Sequence, residues 1–267
     1  MAIFQVNFFA KTMKRPVCFN ALIPNDKYEI PGQEPEGPKG PLKSIYLLHG
    51  YSGNHMDWLT FTKIQEVSLK YNIAVFMPSG ENHFYLDDED VGAYYGELIG
   101  NELVEYTRKT FQLSDKREDT FIGGLSMGGY GAIRNGLKYS ERFGRIIALS
   151  SALITNQIAG ITPDFKGPVA DYPYYRRVFG ELDKLLGSDK DPEALIRGLK
   201  ERKADIPKIY MACGTEDFLI KENRELHEFL VSENVEHTYV EDVGVHDWKF
   251  WNEYIDKGLA WATENDK

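Results

Sequence analysis

The chain reads as an α/β protein with a mostly parallel central sheet and helices on both faces. Three observations carry that reading. Short apolar strand-like runs alternate with helix-like stretches along most of the 267 residues, the pattern of a parallel sheet with crossover helices. The pentapeptide Gly124-Leu125-Ser126-Met127-Gly128 stands between one such strand and one such helix. Acidic and histidine residues follow it, in that order, on loops at the carboxyl ends of later strands.

Taken in order, Ala2 to Phe9 and Val17 to Leu22 read as antiparallel opening strands. Pro24 to Pro41, rich in Pro, Gly and charge, reads as an exposed loop. Strands are then expected at Ile45–Leu48, Ile73–Met77, Thr120–Ile122, Arg145–Leu149, Ile209–Cys213 and His237–Val240. Helices are expected near Asp57–Lys70, Glu97–Thr110, Met127–Tyr139, Pro192–Lys203, Glu222–Ser232 and Asp247–Thr263. No internal repeat stands out, and residues 1–267 are expected to form a single domain. One excursion interrupts the alternation: Ile154 to Phe179 mixes Pro163, Pro168 and Pro173 with Tyr172, Tyr174, Tyr175, Arg176 and Arg177. A long irregular segment in a compact domain is usually functional, so 154–179 is a candidate lid or pocket loop.

The pentapeptide is a G-x-S-x-G motif, and its context of strand, tight turn and helix defines the nucleophile elbow of α/β-hydrolases. So sharp a turn leaves no room for side chains two residues before and after the serine. The helix that follows directs free N–H groups and its positive dipole end at the same point, favouring a developing oxyanion. In this arrangement the catalytic acid and then the base follow the serine along the chain. Lys208–Cys213 reads as a buried strand emptying into Gly214-Thr215-Glu216-Asp217, which makes Asp217 the candidate acid, with Glu216 and Asp242 as nearby alternatives. Glu236–Val240 alternates like a strand and leads to His246, the candidate base, ahead of the last helix. Asp247 suits that helix as its N-cap. His227 lies on a polar helical stretch, His237 in a strand pattern, and His55 and His83 in loops that border the expected pocket.

An oxyanion hole needs two donors. One is the N–H of the residue after the nucleophile, Met127; the other comes from the loop after an earlier strand. Ile45-Tyr46-Leu47-Leu48-His49-Gly50-Tyr51 is that strand and loop, with Tyr51 N–H as the donor, Gly50 letting the backbone fold inward, and His49 bracing the loop. Gly50, Trp58, Phe218 and Trp248 are candidate substrate contacts.

Ile45 to Trp58, Gly123 to Ala132, Cys213 to Phe218 and Val245 to Trp248 together resemble the esterase D-like branch of the α/β-hydrolases, and the resemblance runs over nearly the whole chain. The block Gly-Leu-Ser-Met-Gly-Gly-Tyr-Gly-Ala at 124–132 is its most specific part. Within that branch the chain is most similar to bacterial tributyrin esterases, small cytoplasmic carboxylesterases. The resemblance implies a serine carboxylesterase hydrolysing short-chain acyl esters through an acyl-enzyme. Feruloyl or acetyl-xylan esterase activity on plant polysaccharide esters is the alternative within the branch. S-Formylglutathione hydrolases resemble the chain at the elbow, but carry Ser-Gly-Leu-Thr-Cys where it has His49-Gly50-Tyr51-Ser52-Gly53. A non-catalytic binding module of the same fold would lack a triad member.

Composition fits such an enzyme. A formal charge of −10 argues against nucleic acid or an anionic membrane as partner. No apolar run approaches the about 20 residues that span a bilayer, and the N-terminus lacks signal-peptide character; the expected location is the cytoplasm. Cys18 and Cys213 are expected to be reduced packing residues. Asp87-Asp88-Glu89-Asp90 reads as a solvated acidic turn rather than a metal site, and Tyr94-Tyr95 as pocket or core residues. No cofactor motif is present: Arg134 stands where a third glycine of G-x-G-x-x-G would fall. The expected partner is a small ester, with a homo-oligomer left open.

Overall fold

The computed structural model describes residues 1–25 and 40–264; most of the expected loop at 24–41 lies outside the described residues. The strands are β1 (Ala2–Ala10), β2 (Arg15–Ile23), β3 (Lys43–Leu48), β4 (Ile73–Pro78), β5 (Asp87–Asp88), β6 (Ala93–Tyr94), β7 (Thr120–Leu125), β8 (Arg145–Leu149), β9 (Lys208–Gly214) and β10 (His237–Asp242). Eight of them form one sheet in the order β1-β2-β4-β3-β7-β8-β9-β10. From β4 to β10 every pairing is parallel; β1–β2 and β2–β4 are antiparallel. This is the α/β-hydrolase fold, as expected. The small β5–β6 hairpin was not anticipated, because two-residue strands carry no periodicity.

Side-chain alternation divides the core between the two faces of the sheet. Ile45 and Leu47 of β3 join Ile73, Val75 and Met77 of β4 in one apolar cluster. Tyr46 and Leu48 join Ala74 and Phe76 in the other, as a period of two requires. The first face is covered by α1 (Asp57–Phe61), α2 (Ile64–Tyr71) and α10 (Trp248–Glu264). The second is covered by α3 (Tyr95–Glu97) and α4 (Leu103–Thr110), joined by a wide π-helical turn, by α5 (Met127–Lys138), and by α6 (Thr155–Ile158), α7 (Tyr172–Phe179), α8 (Pro192–Glu201) and α9 (Ile220–Ser232).

Three expectations change. The helix expected over Asp57–Lys70 is broken, with Thr62 extended at φ −134° and ψ 172°. The Thr62 hydroxyl donates to Trp58 O at the end of one helix and accepts from Ile64 N–H at the start of the next, a local side-chain to backbone pairing that competes with a continuous helix. The 154–179 excursion is not wholly irregular, since α6 and α7 lie within it. The acidic turn is not fully solvated either: Asp88 is buried and accepts from the N–H groups of Asp90 and Val91. Cys18 and Cys213 are both free thiols.

Candidate active site

Ser126 occupies the turn between β7 and α5 with φ 53° and ψ −118°, a backbone region that few non-glycine residues adopt. The end of β8 clamps it: Ser126 N–H donates to Leu149 O, and Ser126 O accepts from Ala152 N–H, both at 2.9 Å. The flanking glycines are a steric requirement. A Cβ at Gly124 would lie 2.3 Å from Gly128 O, and one at Gly128 would lie 2.4 Å from Leu48 O.

Ser126 Oγ lies 3.0 Å from His246 Nε2. His246 Nδ1 lies 3.0 and 2.9 Å from the two oxygens of Asp217. An ionised carboxylate can only accept, so Nδ1 carries the proton and the unprotonated Nε2 faces the serine hydroxyl. Asp217 is 2 % exposed. Burial works against its charge, but hydrogen bonds from His246, Leu219 N–H and Ser150 hold its pKa below the ordinary value. Ser150 Oγ in turn accepts from Trp251 Nε1 at 3.0 Å, and the Trp251 ring stands edge-on to His246 with centroids 4.8 Å apart. Ser150 and Trp251 were not expected at the site; a serine closing a strand and a tryptophan within a helix carry no signal of their own. The competing acids fall away. Glu216 is exposed, Asp242 accepts from the Tyr254 hydroxyl, and Asp247 accepts from Phe250 N–H, an N-cap bond ahead of α10.

His49 is buried, and its two ring nitrogens are both engaged. Nε2 accepts from Gly80 N–H at 2.9 Å, so Nδ1 is the donor and bonds Gly50 O at 2.7 Å. Burial lowers its pKa, which keeps this neutral tautomer. Gly53 N–H also donates to Gly50 O, at 3.1 Å. Two donors therefore fix the Gly50–Tyr51 peptide plane, and the Tyr51 N–H must point opposite to the pinned carbonyl. From the excursion, Tyr174 packs edge-on against the Tyr51 ring and donates its hydroxyl to Asn82 O.

These residues border one cavity of about 470 Å³. Gly50, Tyr51, Ser126, Met127, Phe218, His246 and Trp248 all line it, and Ile154, Phe165 and Tyr175 of the excursion form a wall. Phe218 is 69 % exposed at its edge, with its ring 4.4 Å from that of His246. Trp58 is a correction: it does not line the cavity. It is 1 % exposed, donates Nε1–H to Leu48 O at 3.2 Å, and braces Trp248 from behind. His55, His83, Tyr94 and Tyr95 do not line the cavity either. Two polar residues that do, Gln157 and Glu222, were not anticipated.

The fold and the chain's relatives define a carboxylic ester hydrolase of the α/β-hydrolase type. The chain belongs to the family described as "Putative esterase", which it matches over residues 11–262. It is 55 % identical over 264 residues to an acetyl esterase of Caldicellulosiruptor saccharolyticus, covering 99 % of both chains. Among solved structures it is similar to the fluorophosphonate-binding serine hydrolase FphF of Staphylococcus aureus (26 % identity, TM-score 0.84, 98 % of each chain). It is also similar to the S-formylglutathione hydrolase FrmB of Staphylococcus aureus (26 % identity, TM-score 0.82, 98 % of each chain). No described helix is long and apolar enough to cross a membrane.

Proposed function

We propose that the protein is a serine esterase for short-chain acyl esters, with Ser126 as nucleophile, His246 as base and Asp217 as acid. The observation that carries this is the unbroken hydrogen-bonded line from Ser126 Oγ through His246 to Asp217. His246 Nε2 takes the serine proton as Oγ attacks the ester carbonyl. Asp217 fixes the imidazole tautomer and stabilises its charged form. The N–H groups of Met127 and Tyr51 meet the tetrahedral oxyanion, an arrangement in which a single donor contributes about 3 kcal/mol. His246 then returns the proton to the leaving alcohol, and water enters and releases the acid by the same route.

Short acyl groups are favoured by the aromatic walls of the cavity, where each further buried methylene adds up to about 0.8 kcal/mol only while space remains. The acetyl esterase relative points the same way. A panel of p-nitrophenyl esters from acetate to palmitate, with methyl ferulate and S-formylglutathione, tests the reading. Values of kcat/KM should peak between acetate and butyrate and fall steeply by octanoate. An optimum at decanoate or beyond contradicts the short pocket, and methyl ferulate outrunning butyrate would replace it with a polysaccharide esterase. Cytoplasmic residence and a single catalytic domain belong to the same proposal.

A further inference from the structure

Glu222 is out of keeping with its surroundings. It sits in the first turn of α9, only 5 % exposed, and lines the same cavity as Ser126 beside Ile154, Ile158 and Leu219. One carboxylate oxygen accepts from the Gln157 amide across the gap between α9 and α6. The other, Oε2, is buried with no hydrogen-bond partner. Among the described residues no cation pairs with it. Its neighbour shows how complete pairing looks here: the buried Asn223 side chain accepts from Ser151 N–H and donates to Ser151 O and Leu219 O. An acidic residue in the first helical turn is favourable by dipole, but an exposed one gains that equally well. A buried carboxylate oxygen without a donor is costly, and such orphans ask for an explanation.

We propose that Glu222, with Gln157, is a hydroxyl-recognition subsite, so that the preferred esters carry a hydroxyl group on one half. This rests on the esterase reading above and names its substrate class. The exposed Gln157 amide, on the four-residue helix α6, occupies one carboxylate oxygen, and the other lacks a donor that a substrate O–H would supply. A hydroxyl suits the site better than a cation. A primary ammonium would be stripped of water for one unpaired oxygen, and a quaternary ammonium has no proton to donate.

Two matched pairs test this, one for each half of the ester. The acyl arm compares p-nitrophenyl 3-hydroxybutyrate with p-nitrophenyl butyrate; the alcohol arm compares glycerol monoacetate with propyl acetate. In at least one arm the wild-type enzyme should prefer the hydroxylated ester by about tenfold in kcat/KM, as expected for a hydrogen bond to a charged acceptor. The arm that shows it locates the hydroxyl. In Glu222→Leu that preference should collapse to about twofold or less. Should that variant fail to fold, the isosteric Glu222→Gln replaces it, and its weaker neutral acceptor must still lower the ratio. No preference in either arm, or one that survives in a folded variant, overturns the proposal. Failure of the esterase reading would look different, as ester turnover surviving Ser126→Ala.

Discussion

Asp217 is the buried carboxylate at this site that accepts from the imidazole. Removing its charge while keeping its shape lets the side chain present an N–H to His246, reversing the tautomer that Ser126 needs. Asp217→Asn should therefore lower kcat by on the order of 10⁴, as in the serine-protease template. Glu216→Gln, altering an exposed side chain, should stay near wild type. Steady-state kinetics of both variants decide it; a mild Asp217→Asn beside a crippled Glu216→Gln would move the role one residue back. The Ser126, Asp217 and His246 positions were legible in the sequence because each stands where an apolar run gives way to a loop, and parallel strands deliver such ends to one edge of the sheet. Trp58 was not, since an aromatic on a short helix looks the same whether it faces a cavity or the core behind it. Glu222 was hidden among the charges of α9, where burial of one carboxylate has no sequence signature.

At the scale of elements, the eight strands of the main sheet agreed with expectation to within three residues at either end, because their apolar runs are dense and bounded. The helices agreed less well, and the break at Thr62 shows why: a single hydroxyl that bonds both flanking turns overrides a continuous helical pattern. Thr62→Ala removes the acceptor for Ile64 N–H and should destabilise the protein by about 1 kcal/mol, the usual net contribution of one hydrogen bond. Denaturant unfolding measures it; an unchanged midpoint would mean that packing of α1 and α2 alone sets the break. The excursion defied reading for a different reason. α6 and α7 contain only four and eight residues, too short for helical periodicity to emerge from a proline-rich background. Their placement comes from tertiary contacts, among them Tyr174 against Tyr51.

Across the whole molecule, one buried and three half-buried histidines link stability to pH. His49, His55, His83 and His227 all have pKa values lowered by burial from an ordinary 6.5. The unfolded chain accepts protons at these sites near pH 6.5, whereas the folded chain resists until lower pH. Their contribution is thus full above 6.5 and is lost as pH falls toward the lowered folded values. Tm should drop between pH 7.5 and 5.5, and less steeply in His49→Gln; a Tm that is flat or rises toward acid contradicts this. In the proposed function, the sheet, its two covered faces and the loops at its carboxyl edge serve one end, the presentation of Ser126 as an activated nucleophile. Fluorophosphonate labelling followed by intact-protein and peptide mass spectrometry tests that claim most directly. The expected result is one adduct per chain, mapped to Ser126, with labelling and ester turnover both abolished in folded Ser126→Ala. An adduct on another residue, or turnover in that variant at a tenth of wild type or more, would contradict the account.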